Sequence, residues 1–98
     1  MNPEIRSRLE GGNILVAAET TTHYLLVRGE CIALVERTAS GCGSIGSTGI
    51  LTPGGLAFLV WRDGRALLAA KGSEVEAGDE QVADICRFSQ DLKAALEG

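Results

Sequence analysis

Hydrophobic and polar positions alternate along this chain in two periods. Near the start, Ile5 and Leu9 stand four apart, the spacing of one helical face. Asn2 can cap that helix, with Pro3 at its first position, and Gly11-Gly12 stops it. A short helix over 3–10 follows. The period then falls to two. Residues 14–19, 23–28 and 31–38 read as three strands, with Thr20-Thr21-Thr22 as a polar turn and Gly29-Glu30 as a two-residue hairpin loop with glycine first. Two further strands, 56–62 and 65–71, flank Asp63-Gly64, the strongest hairpin signal in the chain. Ile50-Leu51 makes at most a brief pairing, and 72–78 reads as a polar connection.

The helical period returns at the end. Val82, Ile85, Ser89, Leu92 and Leu96 recur at three- and four-residue steps, with Cys86 and Phe88 at the sides of the stripe. Asp79 and Glu80 place negative charge at the positive end of this helix. The expected fold is α+β, one domain over 1–98. It is an antiparallel five-stranded meander sheet with a short N-terminal helix and a long C-terminal helix, because short hairpin loops join antiparallel neighbours.

The strand pattern has a second consequence. Leu25 and Val27 share one face while Tyr24 and Leu26 share the other. Ile32 and Leu34 oppose Cys31, Ala33 and Val35. Leu56, Phe58 and Val60 oppose Ala57, Leu59 and Trp61. Neither face is polar, whereas an antiparallel sheet with one wet face alternates apolar with polar. A helix of about 28 Å covers one face, and two turns of helix cannot cover the other. The expectation is a homodimer, with Leu25, Leu26 and Trp61 as candidate interface residues. The alternative is a sheet that curls and buries both faces within one subunit. The near symmetry of the pattern leaves open which face the long helix takes.

Composition narrows the class. The chain has 98 residues, 45% hydrophobic and 22% charged, which suits a folded domain rather than a disordered segment. The net charge of −4 and the lack of a basic cluster argue against nucleic acid as a partner. The longest clean apolar run, 56–61, is far too short to span a bilayer, so no membrane association is expected. The opening Met1-Asn2-Pro3-Glu4 lacks the basic and apolar regions of a signal peptide. Three cysteines without a C-x-x-C spacing form no closed disulfide framework. A cytoplasmic protein is expected, with Cys31 and Cys86 as small core residues.

Candidate chemistry concentrates in 39–49, read as a glycine-rich loop. Gly41-Cys42-Gly43-Ser44-Ile45-Gly46 contains a literal G-x-G-x-x-G. Gly41, Gly43, Ser44, Gly46 and Ser47 could cradle an anion with consecutive backbone N–H groups. The segment lacks the Walker lysine and a following helix, so a plain surface loop is the competing reading. A second candidate is nucleophilic. If Gly29-Glu30 is the turn, Arg28 faces Cys31, Leu26 faces Ala33 and His23 faces Glu36. Cys42 follows Glu36 by six residues, within possible reach of the imidazole. Thiol, imidazole and carboxylate together would make an activated cysteine. The competing reading is an incidental thiol near a surface histidine. The spacing of the single histidine and the cysteines suits no metal, and no cofactor is expected. Glu74, Glu76, Asp79 and Glu80 read as a solvated connection and helix start. Function is thus expected to be protein–protein interaction by a homodimeric module. The alternative is a small-molecule binder or minor thiol enzyme using the His23/Glu36/Cys42 end.

Overall fold

A computed structural model describes residues 1–39 and 41–97. The order is α1 (Pro3–Gly11), β1 (Leu15–Glu19), β2 (His23–Arg28), β3 (Cys31–Thr38), β4 (Gly41–Thr52), β5 (Gly55–Arg62), β6 (Arg65–Ala70), β7 (Ser73–Glu76) and α2 (Asp79–Glu97). The fold is α+β with an antiparallel sheet, as expected, but the sheet has seven strands in sequence order rather than five, and it does not close. The added strands are β4 and β7, drawn from the segments read as a glycine loop and a polar connection. Both form because a neighbouring strand supplies ladder hydrogen bonds, which need no apolar side chains.

Local chemistry accounts for the turns and caps. The Asn2 side chain accepts from the Glu4 N–H at 2.7 Å, with Pro3 in the first turn. Asp63 and Gly64 sit at φ 52° and 75°, the pair of left-handed residues of a type I′ hairpin. At the start of α2, the Gln81 side chain reaches back to accept from the Gly78 N–H at 2.8 Å, one half of a capping box.

The pairing between β2 and β3 follows the expected register, with Arg28 opposite Cys31, Leu26 opposite Ala33 and His23 opposite Glu36. Both helices cover the face that carries Tyr24, Leu26, Ala33 and Val35. Phe88 and Leu92 of α2 and Leu9 of α1 complete this core. A second cluster continues along the same face, where Ile85 packs on Ile50, Ala57 and Leu68. Arg8 Nε donates to the Ala95 carbonyl at 2.7 Å and ties α1 to the end of α2. The buried stripe of α2 is Ile85, Phe88 and Leu92. Cys86 is exposed, not core, and Cys31 is half-buried. A helical step of about 100° sets residue 88 beside 85 and 92, and swings residue 86 away.

Candidate interaction surface

The opposite face of the sheet carries Leu15, Leu25, Val27, Ile32, Leu34, Phe58, Val60 and Leu67, and among the described residues no helix packs on it. Register sets these side chains in rows across the strands. One row runs Leu15, Val27, Ile32, Gly49, Phe58, Ala69. The next holds Leu25 with Leu34, and Val60 with Leu67. Leu51 pairs with Leu56 at the upper margin and is 49% exposed. Most of these residues are half-buried, and Leu15 is 64% exposed. Of these eight side chains, Ile32 is fully buried. It neighbours Gly49 in its row, so it can lie over the space where a side chain is missing, between Val27 and Phe58.

Charge collects at the margins. His23 pairs with Glu36 at one end, both exposed. At the β5–β6 hairpin and the β7 edge, Arg62 pairs with Glu74 at 2.7 Å and Arg65 with Glu76 at 2.9 Å. These carboxylates therefore neutralise arginines and blunt the short β7 edge with charge. The arrangement is an apolar centre with a polar rim, the anatomy of a protein interface.

The sequence-derived interface residues separate. Leu25 lies on the open face, half-buried. Leu26 is fully buried in the helix-covered core and offers no surface to a partner. Trp61 is 60% exposed, pairs with Ala66, and shares a cleft with Val82 and Ala83 in the first turns of α2. It belongs to the helix side of the sheet.

The proposed cysteine constellation does not assemble. His23 and Glu36 project from the open face. Arg37 projects to the other side, where its guanidinium lies 5.6 Å from the Tyr24 ring centroid, and Cys42 is its cross-strand partner. Successive strand residues point to opposite faces, so the sheet itself stands between the thiol and the imidazole. Cys42 packs instead against the α1 core. Burial pushes its thiol above the ordinary 9.0, against a smaller lowering by the N-terminal ammonium. An activated thiolate needs the reverse. The imidazole Nδ1 lies 3.0 Å from the Thr22 hydroxyl.

The glycine-rich segment is strand β4, not a loop. Its register against β3 shifts twice, between the partners of Ala33 and Val35 and between those of Val35 and Arg37, so β4 carries two bulges. The glycines meet close neighbours. A Cβ at Gly43 would come within 2.9 Å of Thr38 Cγ2, one at Gly46 within 3.3 Å of the Leu34 carbonyl oxygen, and one at Gly49 within 1.9 Å of the Ala57 carbonyl oxygen. Close strand approach thus explains them without an anion. Ser44 and Ser47 are exposed on the same strand, and Gly41, at its start, is buried near Asn2 and Ile5. The two bulges were beyond sequence reasoning, since they exist only against β3. Spacing of glycines every third residue was the available signal.

Among the described residues no helix is long and apolar enough to cross a membrane. Compared with protein-family models, with curated proteins and with solved structures, the chain matches none.

Proposed function

We propose that this protein is a homodimeric interaction module whose subunits associate through the open face of the sheet. The observation that supports it is an apolar sheet face against which, among the described residues, no helix packs. From β1 to β6 the face spans about 24 Å, at ~4.8 Å per strand, and its apolar rows run about 20 Å along the strands. The projected area of about 500 Å² is at the upper end of apolar patches on soluble monomers. With the rim included it approaches the ~800 Å² per partner of a stable interface. A second copy is the simplest occupant, because a two-fold axis sets the same apolar patch of each subunit against its twin. Three cysteines without disulfide bonds support a reducing, cytoplasmic setting.

Sedimentation equilibrium tests the proposal. The parent chain should be a dimer at micromolar concentration. Val60→Asp places an unpaired charge in the interface twice per dimer, and should weaken association by at least about 100-fold. Its circular dichroism melt should stay cooperative, because Val60 is outside both helix-packed clusters. A parent chain that stays monomeric up to about 100 μM would sink the proposal.

A further inference from the structure

The sheet is forked. β4 pairs with β3 along its length but with β5 only over residues 49–52. Beyond Phe58, β5 continues as the partner of β6 alone, over 59–62. No strand among the described residues pairs with the outer edge of β4 over 41–48. Gly49 is at the apex of the fork, where the β5 backbone presses so close that no side chain fits. Below it, the two bulges bend and twist β4, and its pairing with β5 ends.

The chain protects its outer β7 edge differently from this inner one. β7 is short and salt-bridged through Glu74 and Glu76. The free stretch of β4 carries three glycines, two serines, one threonine, one cysteine and one isoleucine, with neither proline nor charge. Its outer edge has no strand partner among the described residues, and an unpaired edge is a template for another strand.

A groove runs beside this edge. Its floor is β4 and its far wall is the C-terminal half of α2, with Ile45, Thr48, Ser89, Lys93, Leu96 and Glu97 lining a volume of about 440 Å³. Ile45 and Leu96 make an apolar side against the main core. Lys93 has no carboxylate at ion-pair distance among the described residues. A strand edge facing a helix across a groove is the geometry by which an extended peptide adds to a sheet, with backbone hydrogen bonds for affinity and pockets for alternate side chains.

We propose that this groove binds an extended segment of a partner protein as an added strand on β4. An aliphatic side chain of the segment packs between Ile45 and Leu96, and a carboxylate meets Lys93. The groove opens toward α2 on the helix side of β4, and the peptide titration below reads it whatever the association state.

The probe is an N-acetylated seven-residue peptide of alternating threonine and valine with one glutamate, titrated to about 2 mM into the ¹⁵N-labelled chain. Amide exchange over residues 43–48 should slow by at least about ten-fold at saturation. Lys93→Glu, on the exposed side of α2, should weaken the glutamate peptide about five-fold and leave its glutamine counterpart unchanged. Unaltered exchange over 43–48 at the highest peptide concentration overturns the proposal. So does protection of those amides that rises with protein concentration alone, since the occupant would then be a second copy.

Discussion

Gly49 offers the sharpest check on this description of the glycine-rich segment. Its φ lies outside the left-handed range, so space rather than backbone handedness is at issue. A Cβ there would lie 1.9 Å from the Ala57 carbonyl oxygen, 2.7 Å from Phe58 Cα and 2.8 Å from the Ala57 carbonyl carbon. All three are backbone atoms, which cannot rotate out of the way. Gly49→Ala must therefore push β4 and β5 apart, at the pairs Gly49–Phe58 and Ile50–Ala57. Overpacking strain of about 1–3 kcal/mol and the weakening of one or two ladder hydrogen bonds at about 1 kcal/mol each give a loss of roughly 2–5 kcal/mol. For a chain of this size the expected fall in Tm is about 10–25 °C. That is a large part of a total stability of roughly 5–15 kcal/mol. Urea denaturation and thermal melts measure it. Gly46→Ala is the matched control, with the same chemistry in the same strand, but its Cβ would meet only the Leu34 oxygen at 3.3 Å and should cost about 1 kcal/mol or less. Equal stability of the two variants would refute the pinched fork, and with it the claim that strand approach explains Gly49.

Two further outcomes follow from the core and the thiols. Phe88→Ala, which removes a fully buried ring from the centre of the α2 stripe, should lower the urea-unfolding free energy by about 3–5 kcal/mol, and a loss under 1 kcal/mol would contradict the packing described. Iodoacetamide at neutral pH should modify the exposed Cys86 before Cys31 and Cys42, whose thiols burial pushes above 9.0, with Asp84 also raising Cys31; because the folded chain holds these two protons more tightly, their contribution to stability is complete below about pH 9 and fades as pH rises through the folded values, and preferential alkylation of Cys42, tracked by peptide mass mapping, would reopen the thiol-enzyme reading.

Much of the fold is legible in local sequence, and for identifiable reasons. Asp63-Gly64 permits the left-handed pair that a tight hairpin needs, and Asn2-Pro3 caps a helix in any setting. Period-two alternation gave the β2–β3 register down to His23 opposite Glu36, since a two-residue turn leaves only one pairing. Where the signal was non-local, it failed. Residues 41–48 have weak strand propensity and become a strand because the edge of β3 supplies hydrogen bonds. Ser73–Glu76 does the same against β6. Cys42 is near His23 and Glu36 in sequence and turn geometry, yet the pleat at Arg37 sends it through to the other side.

The α+β class, the antiparallel meander, a sheet apolar on both faces and only two helices to cover it are all present in the spacing and composition of the residues. Which face becomes core is set by tertiary packing. Leu25 and Leu26 are chemically equivalent neighbours, and the choice between them depends on where α2 returns across the sheet, through Phe88, Leu92 and Ile85. The fork between β4 and β5 was likewise a tertiary decision, because bulges and a missing Cβ at Gly49 acquire meaning only when another strand lies against them.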